Sequence, residues 1–325
     1  MKYVLIFLLI TITILSGCSE NDETISDYSA GLILDADGIQ SHFNALAWRG
    51  IQRARSEYGI NVSYRVSESD KDYESNFLYY IQNDANIIFT LGFLLKDKTI
   101  EYANNHPNTN FAMVDVYNET SMNNLVGISF EMENACFLAG YLAAGFTKTG
   151  IVATFGGMDI PPINDFLRGF ENGINHYNQT NNTNVILLGR NLYPNDFESI
   201  QLGRLIADSL IAEGADIIFP VTGTAAQGVL QSVNEHDIYF IGPDVDWHTT
   251  FPDNTNNVII SVLKNIDTAI FNFIASDIRG SFQNGNYIGN LKNGGVGLSP
   301  YYEFSDQISD SLKQEIESLK ASFIQ

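Results

Sequence analysis

Several short segments place ligand-recognising groups where an apolar run stops. Phe43-Asn44 follows the loop from Asp35 to His42 and begins a helical pattern. An aromatic face beside a side-chain amide can stack on a base and hydrogen-bond its edge. The plainer alternative is a Phe packed between loop and helix, with Asn44 satisfying helix amides. Asp115 ends the run FAMVD. There a carboxylate can accept hydrogen bonds from a ligand's N–H or O–H donors, or cap the next segment. Gly223 and Gly228 flank Thr224-Ala225-Ala226-Gln227 after IIFPV. A small-residue loop lets backbone amides approach a ligand, or is simply a tight turn. Asp244 and Asp246 follow the run YFIG in GPDVDW. Two carboxylates so spaced could grip vicinal ribose hydroxyls, act as glycosidase-like acids, or cap a loop.

Other chemistries find no support. The loop at Gly223 departs from GxxxxGK[ST] at Val229, which argues against nucleoside triphosphates. The five histidines (42, 106, 176, 236 and 248) share no close spacing. No Ser-His-Asp order, nucleophile elbow or metal-binding helix is evident. His42 and Trp247 adjoin the candidate segments without an assigned role. The cysteines are Cys18 and Cys136 alone, so no Cys/His metal cluster arises and no cofactor is expected. Cys136, on an apolar helical run, reads as an inert buried thiol. The net charge of −21 argues against nucleic-acid partners, because phosphate polymers would repel the chain.

Elements that could position these groups are legible. Gly31–Leu34, Val62–Val66, Asn86–Leu91 and Phe111–Val116 read as strands. Helical patterns lie between them, at Ala45–Tyr58 and near 73–83 and 95–105. The order restarts at Ile151–Phe155 and continues through Val185–Leu188, Ile217–Val221 and Ile238–Ile241. Such alternation implies two α/β lobes with doubly wound parallel sheets. Between them, Phe137–Ala144 reads as a packed helix whose small residues allow close approach. Gly156-Gly157 turns the chain where a strand ends, which is where open α/β sheets bind ligands.

The N-terminus is different. Lys2 precedes an apolar run from Tyr3 to Leu15, too short for a typical spanning helix and suited to a signal peptide. Leu15-Ser16-Gly17-Cys18 resembles a bacterial lipobox, which implies cleavage before Cys18 and lipidation of its thiol. The acidic stretch 19–29 reads as a flexible tether.

The order of FNALAWRGI (43–51), FLAGYLAA (137–144), KTGIVATFGGMDIPPINDFLRGF (148–170), AEGADIIFPVTGTAAQGV (212–229), IGPDVD (241–246) and SVLKNID (261–267) resembles the basic membrane protein family. These purine-nucleoside receptor A-like lipoproteins are substrate-binding proteins of ABC transporters. The resemblance implies the periplasmic-binding-protein type I fold, with two lobes joined by a hinge. It implies crossings near 128, 258 and 291, and hence the following organisation. Residues 1–17 form the signal peptide and 18–30 the lipidated Cys and tether. Residues 31–127 plus 259–290 form one lobe, and 128–258 plus 291–325 the other.

It further implies a non-enzymatic, lipid-anchored receptor for a nucleoside, with a purine expected. That receptor would be monomeric, would dock on an ABC permease, and would face the periplasm or cell exterior. Alternatives are a nucleoside hydrolase, or a surface lipoprotein or sensor binding another small molecule or a partner protein. The ligand-binding residues carried over are Asp35, Phe43, Asn44, Asp115, Phe197, Gly223, Asp244 and Lys264. Phe43 faces the purine, while Asp35 holds the ligand or its loop. Lys264 pairs with Asp244 and donates to a sugar oxygen; its alternative is an ordinary helix-surface lysine. For the second aromatic wall, counting back from Gly203 selects Phe197 and reading forward from Gly189 selects Tyr193; Phe197 is preferred. The chain departs from the family in Gln40-Ser41-His42, where Asp-Lys-Ser is usual and the loop is one residue longer.

Overall fold

A computed structural model describes residues 27–36 and 38–324. The expected leader 1–17 and the expected lipidation site Cys18 lie outside the described residues. The first lobe opens with β1 (Ser29–Leu34), α1 (His42–Tyr58), β2 (Asn61–Val66) and α2 (Asp70–Gln82). It continues with β3 (Ile87–Leu91), α3 (Lys96–Asn105), β4 (Asn110–Val114) and β5 (Leu125–Phe130). The second contains α4 (Met132–Phe146), β6 (Ile151–Gly156), α5 (Pro161–Asn181), β7 (Ile186–Leu188) and α6 (Ile200–Ala212). Then come β8 (Ile217–Val221), α7 (Ala226–His236), β9 (Tyr239–Gly242), α8 (Trp247–Thr250) and β10 (Val258–Lys264). Helix α9 (Ile266–Ile278) and β11 (Gly285–Gly289) return to the first lobe, and β12 (Val296–Leu298) and α10 (Asp310–Ile324) to the second.

The sheets repeat one plan. The first runs β11-β5-β4-β3-β1-β2 and every pairing is parallel. The second runs β12-β10-β9-β8-β6-β7, parallel except for the antiparallel edge strand β12. Central strands β3 and β8 are buried along their whole length, which explains their unbroken apolar runs. Winding reverses beside β1 in one sheet and beside β6 in the other. Each lobe therefore has a switch point, and the C-terminal strand ends around it leave a crevice.

Two boundaries differ from those expected. The crossing placed near 128 falls inside β5, and the chain leaves the first sheet only after Phe130. The crossing placed near 258 falls at the start of β10, so 259–264 belong to the second sheet. In both cases the ladder continues to the strand's C-terminal end, and the chain changes lobe only where the ladder stops.

Helices α4 and α5 pack through glycines. A Cβ on Gly140 would lie 2.0 Å from the Phe170 carbonyl oxygen, and one on Gly173 equally close to that of Phe137. Backbone cannot retreat as a flexible side chain can. Gly140→Ala should therefore destabilise the protein by about 1–3 kcal/mol in urea unfolding. A change within about 0.5 kcal/mol, the range of ordinary surface substitutions, would contradict this packing.

Candidate ligand-binding cleft

A cleft of about 510 Å³ lies between the lobes, at the C-terminal ends of both sheets. It brings together all eight residues named from sequence: Asp35, Phe43, Asn44, Asp115, Phe197, Gly223, Asp244 and Lys264. Strand ends supply most of them. Asp35 follows β1, Asp115 follows β4, Gly223 and Asp244 follow β8 and β9, and Lys264 ends β10.

Lys264 is not a helix-surface lysine. It is a strand-end residue, 2% exposed. Its Nζ donates to Asp115 Oδ2 at 2.8 Å, across the lobe boundary, and lies 3.7 Å from Asp244 Oδ1 in its own lobe. The second contact is an ion pair too long for a hydrogen bond. Asp244 Oδ1 is therefore buried without a hydrogen-bond partner. Rings of Phe166, Phe43 and Phe130 surround the ammonium at 4.8, 5.4 and 5.9 Å from their centroids. Burial lowers the affinity of Lys264 for its proton, Asp115 and Asp244 raise it, and the net shift is upward. Burial raises Asp244 to about 6; Lys264 opposes that shift and Asp115 adds to it.

The early loop is held from within. Asn44 Nδ2 donates to Asp35 Oδ1 and to the Gly38 carbonyl, both at 2.8 Å. Both amide hydrogens thus fix the loop and Asp35, and the helix N-cap is Ser41 instead. The opposite wall rests on Gly156-Gly157. A Cβ on Gly157 would meet the Phe197 ring at 2.3 Å. Gly157 also accepts from the Asp196 amide at 3.1 Å. These contacts seat Phe197 on the cleft. Tyr193 does not line it; its hydroxyl donates to Asn164 Oδ1 at 2.6 Å and accepts from Arg190. Asp246 also stays out. It caps α8 by accepting from the His248 amide at 3.1 Å, so it and Asp244 serve different places.

Sequence reasoning missed Phe166, Phe93, Leu94 and Glu68, which also line the cleft. Phe93 and Leu94 follow Gly92 at the end of β3, so the strand-end rule could have found them. Phe166 and Phe170 are both fully buried on one amphipathic helix, and periodicity alone does not mark which of them reaches the cleft.

A crevice at the carboxyl ends of two facing doubly wound sheets, lined from both, defines a two-lobed binding protein. The sequence profile of the PnrA-like ABC transporter substrate-binding proteins matches residues 29–325, and the chain belongs to this family. Basic membrane protein D of Borreliella burgdorferi is 30% identical over 304 residues, covering 91% of this chain and 84% of that one. The ABC transporter nucleoside-binding protein BmpA of Lactococcus lactis is 27% identical, covering 97% and 94%. An ABC transporter solute-binding protein from Aeropyrum pernix has a TM-score of 0.83 at 25% identity, covering 91% of each chain. The protein is thus an ABC-transporter substrate-binding protein and not an enzyme, and that role implies a permease partner.

Asp244 should leave a pH signature. Its folded pKa of about 6 exceeds the ordinary 3.8, so its stabilising contribution is full below about 4 and is lost as pH rises through 6. Asp244→Asn carries no such loss. The variant's melting temperature relative to wild type should rise between pH 4.5 and 7.5, reflecting on the order of 2 kcal/mol. A pH-independent difference would refute the assigned burial.

Proposed function

We propose that the cleft captures a nucleoside, and specifically a purine nucleoside, for delivery to an ABC permease. The observation that carries this reading is Asp244 Oδ1, a buried acceptor without a hydrogen-bond partner, beside Lys264 and facing the cleft. A vicinal diol suits it, because one hydroxyl can donate to Asp244 while another accepts from Lys264. Phe43 and Phe197 offer flat apolar faces from opposite lobes, and base stacking contributes about 1–3 kcal/mol per ring. In this reading Asp115 accepts from the base edge. Gly223 leaves room for close backbone approach, and Asp35 and Asn44 hold the loop behind Phe43. The relative from Lactococcus lactis named as nucleoside-binding agrees with this reading. One chain supplies both walls, so a monomer suffices. A hydrolytic pair is disfavoured because Asp246 is committed to capping α8.

Charge narrows the ligand further. Asp35, Glu68, Asp115, Asp196, Glu198 and Asp244 line the cleft, with Lys264 as the one cation among its described lining residues. A phosphate ester would meet uncompensated negative charge in a partly dehydrated space. The ligand is therefore a neutral nucleoside and not its phosphate.

The lipobox and the family support anchoring through Cys18, with the lobes held outside the cytoplasm. Among the described residues, no helix is long and apolar enough to cross a membrane. Cys18→Ala should move the protein from the membrane to the soluble fraction, and unchanged retention would reject the anchor.

Calorimetry with inosine, hypoxanthine and inosine 5′-monophosphate tests the site. Phe43→Ala should weaken inosine and hypoxanthine alike, by roughly 1–3 kcal/mol. Asp244→Ala should weaken inosine by a similar amount and leave hypoxanthine nearly unchanged. Inosine 5′-monophosphate should bind at least about tenfold more weakly than inosine, a penalty of about 1.4 kcal/mol. Equal losses for base and nucleoside in Asp244→Ala would overturn the ribose assignment. Equal affinity for the monophosphate would overturn the charge argument.

A further inference from the structure

His42 is the first residue of α1 in the first lobe. Its ring reaches the second lobe. The Trp247 ring lies 5.6 Å away at 68°, and the Phe251 ring 6.2 Å away at 84°, both edge-on. His42 is 5% exposed, and neither ring nitrogen has a hydrogen-bond partner. Trp247 is itself fully buried and donates its indole N–H to the Pro243 carbonyl at 2.9 Å, so it forms a fixed wall. A polar ring has been pressed into an aromatic seam between lobes with nothing to satisfy it.

We infer that His42 is a proton-sensitive latch: the neutral imidazole docks the first lobe on Trp247 and Phe251, and protonation undocks it. The cleft lies beside this seam, so undocking opens the receptor and lowers its hold on any ligand.

The charges nearby leave the latch unopposed. On α8, His248 stacks on Tyr302 at 4.0 Å, with Nε2 3.2 Å from Glu303 Oε2. Asp246 accepts the His248 amide and the Tyr302 hydroxyl. On the His42 side, Asp35 is bonded to Asn44, and Arg49 of α1 is paired with Asp267 of α9 at 2.8 Å. The short turn Gly223–Ala225, also packed on α1, carries no titratable side chain. Burial therefore lowers His42 to about 4, with no neighbouring charge contributing. Undocked, the ring would titrate near 6.5, the ordinary value. The sign follows: docking is favoured fully above about 6.5 and is lost as pH falls toward 4, by up to about tenfold per unit.

Asp244 also titrates near 6, so ligand binding alone does not isolate the latch. Small-angle scattering of the ligand-free protein does, with circular dichroism to confirm that the fold persists. The radius of gyration of wild type should increase between pH 7 and 5, whereas His42→Phe, which keeps an aromatic ring but no proton, should hold its radius constant. His42→Gln serves equally if the Phe variant does not fold. In wild type, the nuclear magnetic resonance titration of the His42 ring should coincide with the scattering change. An unchanged wild-type radius, or the same expansion in the variants, would overturn the latch. So would a ring that titrates near 6.5 while the radius stays fixed.

Discussion

The arrangement depends on one buried cation shared by two carboxylates. Lys264 sits at the seam of the lobes, bonded to Asp115 of the first and paired with Asp244 of its own. Burying three charges is expensive, and a buried pair of this kind is weak evidence for stability. Its value here is positional. Two negative charges face one positive charge, so the cluster keeps an acceptor in excess. Asp244 supplies it, with an oxygen that finds no hydrogen bond within the protein. A ligand hydroxyl repairs that deficit, whereas an apolar ligand would leave it. The aromatic rings around the ammonium exclude water and hold it in place.

The two lobes present their carboxylates in the same way. Asp115 follows β4 and Asp244 follows β9, strands at equivalent positions in sheets of matching order. Both residues have φ of 63°, in the left-handed region. Asp tolerates that conformation better than most residues, and it turns the side chain out of the ladder and over the strand end. The cleft is thus the meeting of two copies of one topological feature, and Lys264 joins the carboxylate of its own lobe to that of the other. The same geometry presses His42 against Trp247, so the charge cluster and the aromatic seam report on one interlobe contact.

Much of this was legible from the chain. Strands such as IIFPV and IVATF declare themselves because both faces are buried, and their ends locate the crevice. The landmarks FNALAWRGI and IGPDVD carried Phe43 and Asp244 to the site. The limits are equally physical. Lys264 could be read as a helix-surface residue because SVLKNID gives no sign that the strand ends on it. The choice between Phe197 and Tyr193 rested on two counting frames. Of the two, Phe197 lines the cleft, in the room that Gly157 leaves, while the Asn164 bond holds Tyr193 away. Asn44 lines the cleft, and its amide donates to Asp35 and Gly38, a pairing no local spacing reveals.

A crystal structure of the protein from residue 19 onward, grown with inosine, tests the central claim most directly. The expected result is a base between Phe43 and Phe197, with a ribose hydroxyl within about 3 Å of Asp244 Oδ1 and another near Lys264 Nζ. A ligand bound elsewhere, or a ribose turned away so that Asp244 keeps an unpartnered oxygen, would contradict the account.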